Sequence, residues 1–426
     1  MLAATASVEG QSVSTYTFAQ STGTYTEITG GTVLVSGTNW NNQRFTVTLP
    51  NPFWFAGTWY STVYVTANGY LTFGSMMANT NFKPLSTTAG YAGAIAPFGA
   101  NLQDANQATS ELRWQQVSNE IVFQWRDAQR KVGGNNERFS FQARLNTANG
   151  KIRFVYSSVT NLNNSTAQQP EVGLRGANST FPANVLNRTV GTGAENWATS
   201  LAGTSNASAM RFTSAAPTKS PTNGLTYIFS PPCVSASASI IGQVSCNGGQ
   251  ATVSVSGSGG PTPYSGTGSF LRTAGTHNFT VMDAFGCASI TSVTVSEPPV
   301  LSSSATITAP VLCQGGMATV NVTASGGTTP YTGTGPLVRP AGTHSFLVTD
   351  ANGCQHTSML TISEPATLSA TSAVVSVETG CATSDAVAVI GAVGGTGPYS
   401  GPGTYMGLTA GSAMFVVTDA NGCVAS

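Results

Sequence analysis

A stretch in the second half of this chain, CNGGQATVSVSGSGGPTPY, opens at Cys246 and leads to VMDAFGC, ending at Cys287. The stretch is then repeated as CQGGMATVNVTASGGTTPY, which opens at Cys313 and leads to VTDANGC, ending at Cys354. Apolar residues alternate with polar ones in both copies, as in β-strands with one buried face. Gly-Gly, Pro-Tyr and Asp-Ala-x-Gly are turn signals. The repeated stretch therefore predicts small all-β domains.

A third, more diverged copy opens at Cys381 and closes with VTDANGC at Cys423. The copies recur with a nearly constant period of about 67 residues, so each copy is expected to be one small domain. Within a copy the second cysteine follows the first by 41, 41 and 42 positions (287 − 246, 354 − 313 and 423 − 381). This constancy predicts a disulfide inside each copy. The predicted bridges are Cys246–Cys287, Cys313–Cys354 and Cys381–Cys423.

The seventh cysteine, Cys233, lies in SPPC at the start of the repeats, where the later copies have Val300 and Thr367. It is unpaired in this scheme. A buried inert thiol and an intermolecular bridge are the two alternatives for it. Three disulfides imply an oxidising, extracellular environment.

The composition limits the classes of partner. Of the 426 residues only 8% are charged, and 16 basic side chains balance 16 acidic ones. A chain without a basic surplus lacks the electrostatic footprint needed to bind nucleic acid or an anionic membrane. No apolar run reaches the 18 or so residues of a membrane span. Low net charge also does little to oppose self-association.

Residues 1–232 read as one larger all-β domain that contains no cysteine. Hairpins are predicted around Asn68-Gly69, Ser118-Asn119 and Asn149-Gly150, because each pair of turn residues separates two alternating segments. The fold class is therefore all-β. We expect a large antiparallel β-sandwich or jelly-roll-like domain, followed by three small, disulfide-stapled, Ig-like β-sandwich repeats. The predicted domains are 1–232, 233–299, 300–366 and 367–426.

The third repeat lacks the strand that follows the last cysteine in the earlier copies, so the natural protein is expected to continue past Ser426. Its unpaired sheet edge could accept a strand from another chain. Leu2 to Thr17 could supply that strand, because the segment is rich in Ser, Thr and Val and has no Pro. This predicts a homo-oligomer that grows head to tail as a filament. The alternative is that the missing strand lies in later residues.

All six tryptophans lie in the large domain, and most are expected in its core. A sharper alternative is a sugar-stacking platform formed by Trp54, Trp59 and Tyr60 in PFWFAGTWY. The sequence alone does not separate these readings.

Enzyme chemistry is not expected. Residues 1–232 contain no His and no Cys, which excludes Ser-His and Cys-His nucleophile systems and a His-based zinc site there. The carboxylate pairs Asp104 with Glu171 and Glu120 with Asp127 remain conceivable for a glycosidase. Their flanks are typical of loop ends and hairpin edges. No catalytic residue, cofactor or metal is therefore predicted.

The closing turns of the repeats each contain one aspartate, at Asp283, Asp350 and Asp419. A calcium role is conceivable, but calcium takes six to eight oxygen ligands and one carboxylate per turn is far from enough. The expected role is that of a turn residue.

Two resemblances bear on function. The segments LPNPFWFAGTWYSTVYVTANGYLTFG (49–74), NEIVFQWRDAQR (119–130) and FQARLNTANGKIRFVY (141–156) make the first half similar to a large β-domain at the front of many secreted Bacteroidetes surface proteins. The repeats, with GG-x-x-PY and V-x-D-A-x-G-C followed by EP, resemble the SprB-type repeats of gliding-motility adhesins. That resemblance implies a cell-surface protein exported by the type IX secretion system.

Two functions follow as hypotheses. In the first, the chain is a non-enzymatic structural or adhesive subunit of a cell-surface filament or long adhesin, with the repeats as a stalk. In the second, it is a secreted glycan-binding module whose repeats are spacers and whose site is the Trp54 to Tyr60 cluster. Repeats and low charge favour the first.

Overall fold

The computed structural model describes residues 12–38, 40–78, 81–131, 137–162, 166, 168–190, 196–213, 219–377, 384–409 and 411–426. The predicted all-β class is confirmed: the described residues form antiparallel sheets, and their helical residues are confined to the short 3-10 turns Val13–Thr15 and Trp197–Thr199.

The large domain is a sandwich of two sheets around one apolar core. The first sheet has the order β1-β15-β11-β10-β9-β8-β2, with β7 also paired to β9, and the second has the order β14-β13-β12-β6-β5-β4-β3. Strands β1 to β15 are, in chain order, Thr17–Thr22, Thr32–Ser36, Arg44–Phe55, Thr58–Thr66, Tyr70–Phe73, Gly93–Gly99, Leu102–Asp104, Glu111–Val117, Glu120–Arg130, Phe139–Asn146, Ile152–Tyr156, Glu171–Arg175, Val185–Thr189, Leu201–Ala202 and Leu225–Ser230.

The three predicted hairpins are present. Asn68-Gly69 connects β4 to β5, Ser118-Asn119 connects β8 to β9, and Asn149-Gly150 connects β10 to β11. Gly69 has a φ of +79°, and a Cβ there would lie 2.1 Å from the Phe98 carbonyl oxygen, so this turn requires glycine.

The tryptophans are mainly core residues, as expected. Trp125 on β9 is fully buried, stacks on Phe141 with ring centroids 5.0 Å apart, and donates its indole N–H to the Thr66 carbonyl oxygen of the other sheet at 2.9 Å. Trp114 is partly buried against the same core. Trp59 is the exception, with 39% of its surface exposed. The remaining tryptophans are buried: Trp40, Trp54 and Trp197.

Each repeat combines a three-stranded sheet with a two-stranded sheet. The sheets are β16-β17-β18 with β19-β20, β21-β22-β23 with β24-β25, and β26-β27-β28 with β29-β30. Strands β16 to β30 are, in chain order, Ser235–Gly242, Ala251–Ser258, Gly268–Arg272, Gly275–Met282, Ala288–Val295, Ser302–Ala309, Met317–Ser325, Gly335–Pro340, Gly342–Thr349, Gln355–Ile362, Ser369–Ser376, Ala386–Val393, Gly403–Leu408, Val417–Thr418 and Val424–Ala425.

Repeat two shows why these segments form strands. Every second residue of β22 is buried (Ala318, Val320 and Val322), and these side chains pack against Phe346 and Val348 of β24. The alternation places Ala318, Val320 and Val322 on one face of the strand, whereas Met317 is exposed on the other. With five strands, the repeat is smaller than the seven-stranded immunoglobulin sandwich that it was expected to resemble.

The chain divides into two compact units. The first contains the large domain together with residues 255–268 and 278–291 of repeat one, and the second contains the rest of repeat one with repeats two and three. The boundaries predicted at residues 232, 299 and 366 remain predictions.

Part of the predicted strand-donor segment, residues 2–17, is described by the structure. Residues 12–17 belong to their own domain: Val13 and Tyr16 are buried in its core, and Thr17 begins β1, which pairs with β15. The proposal that they are a free donor strand is therefore wrong for these residues, because their apolar side chains are already buried. Residues 2–11 lie outside the described part of the chain.

Candidate functional site

Two of the three disulfides connect neighbouring repeats, and the third joins repeat one to the residue that follows the large domain. The bonded pairs are Cys233–Cys287, Cys246–Cys354 and Cys313–Cys423. The predicted pairs Cys246–Cys287 and Cys313–Cys354 and the unpaired state of Cys233 are therefore wrong. The predicted Cys381–Cys423 pair is also excluded, because Cys423 is bonded to Cys313; Cys381 itself lies outside the described residues.

The regular spacing led to the wrong disulfide pairing, because it gives the period of the repeats and does not identify the partner of each cysteine. In repeat two, Cys354 bonds backward to Cys246 of repeat one, and Cys313 bonds forward to Cys423 of repeat three. These crossed bonds have nearly equal sequence separations, 108 and 110, as a periodic chain requires. In repeats two and three the closing-turn cysteine therefore holds the preceding repeat, whereas in repeat one Cys287 is bonded to Cys233, which directly follows the large domain.

The closing turn is shaped by its aspartate. In repeat two, Asp350 Oδ1 accepts the backbone N–H groups of Asn352 at 2.9 Å and Cys354 at 2.8 Å, while Oδ2 accepts the N–H of Thr328 at 2.9 Å. A Cβ on Gly327 would lie 2.6 Å from Oδ2, so the second glycine of the Gly-Gly pair leaves room for the carboxylate. The two repeated motifs thus meet in space and fix the position of the cysteine.

The other repeats use the same arrangement. Asp419 accepts the N–H groups of Thr396, Asn421 and Cys423, all at 2.9 Å. The equivalent carboxylate in repeat one is Asp283, which accepts from Val234 at 3.3 Å, Phe285 at 3.0 Å and Cys287 at 2.9 Å. The carboxylate oxygens are therefore occupied by backbone donors, which supports a role as turn residues instead of calcium ligands.

These aspartates predict acid sensitivity of the joints. Burial acts to raise the pKa of Asp350 and Asp419, but the backbone N–H donors outweigh it and hold each pKa below the ordinary value of 3.8. A lowered folded-state pKa stabilises the fold above the unfolded value, and this stabilisation is lost as the pH falls through the folded value. We expect the melting temperature of the repeats to be constant well above pH 3.8 and to fall below it.

The control is Asp350→Asn, which keeps one oxygen acceptor and removes the titration. The variant should melt lower than the wild type at neutral pH, and the difference should shrink in acid. Equal pH profiles for the two proteins would contradict the role given to Asp350.

The residue between alanine and glycine in the closing turn also contacts the preceding module. Asn352 Nδ2 donates to the Ser245 carbonyl oxygen of repeat one at 2.9 Å, and Asn421 Nδ2 donates to the Leu312 carbonyl oxygen of repeat two at 3.1 Å. Each acceptor directly precedes the cysteine that takes part in the disulfide. A directional hydrogen bond therefore accompanies each covalent bond, and together they fix the orientation of the joint.

The linker between repeats is anchored at the same place. Glu297 Oε2 accepts the N–H of Gly248 at 2.6 Å, and Glu364 Oε2 accepts the N–H of Gly315 at 2.7 Å. These are the glutamates of the two SEP linkers, and the glycines belong to the loops that follow Cys246 and Cys313. The glutamate of the recurring EP sequence therefore anchors the linker to the loop that follows the first cysteine of the repeat.

At the joint with the large domain the turn residue is Phe285. Its ring makes edge contacts with Trp59 at 5.7 Å and Trp54 at 6.2 Å. A Cβ on Gly150 would lie 2.5 Å from the Phe285 ring, so this position of the hairpin turn has no room for a side chain. Trp59 also donates its indole N–H to the Thr262 carbonyl oxygen at 3.3 Å. The first joint is thus an aromatic contact where the later joints are polar.

The proposed sugar platform is not formed. Trp54 is only 1% exposed, and Tyr60 stacks on Phe73 with ring centroids 4.6 Å apart. Trp54 and Trp59 are cross-strand partners, whereas Tyr60 is the next residue along β4 and points to the other face. Of the three rings, Trp59 alone is substantially exposed, and one side of it meets Phe285. Phe285 was not predicted as a contact residue, although the Phe of DAFGC stands where the later repeats have the Asn of DANGC.

The four carboxylates considered for a glycosidase each have a protein partner. Glu120 and Asp127 are seven residues apart on the single strand β9, so their backbones are separated by roughly 20 Å. Glu120 binds Arg144 and Arg153. Glu171 is buried, which raises its pKa, and it accepts the N–H of Leu85 at 2.7 Å. Its proposed partner Asp104 lies on β7 of the other sheet, where it accepts the N–H of Trp40 at 3.2 Å.

Exchanging the turn residue tests the first joint. Phe285→Asn inserts the residue that the later repeats carry, and it removes the contacts with both tryptophans. Because Phe285 is half-buried, we expect a loss of about 1.5 to 3 kcal/mol in the free energy of unfolding, measured by guanidinium denaturation. Asn352→Ala is the matched control at the equivalent position and should cost about 1 kcal/mol, the value of one hydrogen bond. A larger cost for the control would contradict this assignment.

A large β-sandwich followed by cross-linked β-repeats defines a modular, disulfide-stapled protein. The family model described as NIDO related matches residues 15–231, and the chain belongs to this family. A comparison with curated proteins gives no match. Family membership and the three disulfides together indicate an extracellular domain with an adhesive or structural role. Within the described residues, no helix has the length and apolar character needed to cross a bilayer.

Proposed function

We propose that the chain is a non-enzymatic structural or adhesive subunit of a bacterial cell-surface filament or long adhesin. The NIDO-related domain is the head or assembly platform, and the repeats are the stalk. The observation that carries the proposal is the set of disulfides that hold the closing turns: Cys354 and Cys423 are bonded to the preceding repeat, and Cys287 is bonded to Cys233, directly after the large domain. The similarity of the repeats to SprB-type repeats supports a gliding-motility adhesin exported by type IX secretion.

A stalk needs modules whose joints do not open. At each described joint a covalent bond lies beside noncovalent contacts: Phe285 on Trp54 and Trp59, or an asparagine on a backbone carbonyl. The cross-link removes the freedom of the joint when the noncovalent contacts break. A spacer that merely separated a binding module from a surface would function with flexible linkers. The joints therefore favour the structural reading over the spacer reading.

Negative-stain microscopy and light scattering of the full chain test the assembly. Head-to-tail filaments or oligomers whose mass grows with concentration would support the proposal. A monodisperse monomer at all concentrations would overturn the filament form. For the adhesin form, binding of the purified chain to a cell or abiotic surface is the readout, and loss of binding when the NIDO-related domain is blocked by an antibody would support its role as head.

One observation favours a second candidate, glycan binding, at a place other than the tryptophan cluster. A cavity of about 530 Å³ in the large domain is lined by branched apolar side chains and by hydroxyl, amide and guanidinium groups, the polar ones including Thr24, Thr26, Gln115, Arg144 and Arg153. Such groups suit a polar sugar. A glycan array probed with the wild type and Arg153→Ala decides: binding that the variant loses would support this candidate, and no binding by the wild type would remove it.

A further inference from the structure

The three disulfides overlap along the chain. The closed loops run over 233–287, 246–354 and 313–423, so each loop starts before the previous one ends. Bridges inside single repeats would instead give separate loops in series. Overlap matters when the chain is pulled, because a force acts along the shortest covalent path between its two ends.

That shortest path is short. From Cys233 it crosses one disulfide to Cys287, follows the backbone to Cys313, and crosses a second disulfide to Cys423. Its backbone part is about 26 residues long (313 − 287), or roughly 90 Å when fully extended. The uninterrupted backbone from Cys233 to Cys423 is about 190 residues long (423 − 233), or roughly 670 Å when extended. Most of the repeat region therefore cannot be extended while these two bridges are intact.

We infer that the repeat region is a force-bearing tether of limited extension, in which the disulfides set the maximum length independently of whether the repeats are folded. The segment from Cys287 to Cys313, which includes β20, the first SEP linker and β21, carries the load in the fully stretched state. The inference draws on the proposed function only for the origin of the load; the limit on extension follows from connectivity alone.

The middle bridge, Cys246–Cys354, still limits the extension of the tether when Cys313–Cys423 is lost. Cys246–Cys354 is off the shortest path, so its loss leaves the limit set by the segment from Cys287 to Cys313 unchanged. If Cys313–Cys423 is lost, the path runs along 233–246, crosses the middle bridge and follows 354–423, about 82 residues in all. The stretch from Cys233 to Cys423 is therefore still held at less than half of its unconstrained length after either loss.

Single-molecule force spectroscopy of the full chain, held by handles at its two ends, tests this inference. At about 3.5 Å per extended residue, the fully unfolded chain should be about 560 Å longer with reductant than without it. The NIDO-related domain extends equally in both states because it has no cysteine. Pairing inside single repeats would free the segments 233–246, 287–313 and 354–381 and give a difference of only about 430 Å. That value, or no difference, overturns the inference.

Paired variants sharpen the test. Under oxidising conditions, Cys246→Ser with Cys354→Ser should leave the maximum length unchanged, whereas Cys313→Ser with Cys423→Ser should lengthen it by about 200 Å. Equal lengthening by the two variants would overturn the assigned path. The force measurement and the assembly measurement are separate: a monomeric protein with the expected force curve would refute the filament and leave the tether standing.

Discussion

Reduction of the disulfides is expected to destabilise the repeats by roughly 4 to 5 kcal/mol for each bridge and to leave the NIDO-related domain unchanged. The loops closed by the bridges span 54, 108 and 110 residues, and the entropy that a cross-link removes from the unfolded chain rises with loop length. Because the loops overlap, the combined loss should be smaller than three independent losses. For domains of about 60 residues, such a loss is comparable to the whole stability.

Calorimetry with and without a thiol reductant is the measurement. Two transitions are expected in the oxidised protein, and reductant should lower the one assigned to the repeats. Residues 15–231 contain no cysteine, so the transition of the NIDO-related domain is the internal control. An equal shift of both transitions would contradict the assignment, as would insensitivity of the repeats to reductant.

The crossed bridges also bear on cooperativity. Cys246–Cys354 spans the boundary between repeats one and two, and Cys313–Cys423 spans the next. A repeat that unfolds therefore stays covalently bonded to its neighbour, and this bond restricts the unfolded segment. We expect the repeats to unfold together when oxidised and separately when reduced, in contrast to the independent domains that the sequence suggested.

Local features of the fold could be predicted from the sequence because they depend on neighbouring residues. Asn68-Gly69 and Asn149-Gly150 are turn sequences whose backbone requirement few residues satisfy, and the structure has turns at both. The buried alternation of β22 follows from its sequence in the same way. The partner of each cysteine could not be predicted, because in a periodic chain bonds within a repeat and bonds to the next repeat both have a nearly constant separation.

The joints were recognisable only in part. The aspartate, the cysteine and the Gly-Gly pair were identified as turn chemistry, but the loop that each turn contacts in the preceding module is distant in sequence. Asn352, for example, binds the carbonyl of Ser245, 107 residues away. Phe285 differs from Asn352 and Asn421 because its neighbour is different: the large domain presents tryptophans where a repeat presents a backbone carbonyl. A difference between copies of a repeat can therefore indicate a difference in what each copy contacts.

Trp54→Ala is expected to lower the free energy of unfolding of the NIDO-related domain by about 3 to 5 kcal/mol. The indole is 1% exposed and packs between the ring of Tyr16, at 6.2 Å, and the ring of Phe285, also at 6.2 Å. Its removal leaves a cavity in the core and takes away part of the surface on which Phe285 rests. Guanidinium denaturation followed by circular dichroism measures the loss in the domain, and limited proteolysis near Cys233 should show a more accessible joint.

The matched control is Trp59→Ala, which removes the same side chain from the cross-strand partner of Trp54. Since Trp59 is 39% exposed, its loss should cost less than that of Trp54, about 1.5 to 3 kcal/mol. The pair of variants also separates packing from recognition. If the domain bound a glycan through this cluster, Trp59→Ala would abolish binding without unfolding the domain. If the cluster only packs the joint, the loss of stability in each variant should follow the burial of the ring that is removed. Equal destabilisation by the two variants would show that the cluster is not organised as the structure describes, with one ring in the core and the other at the edge of the joint.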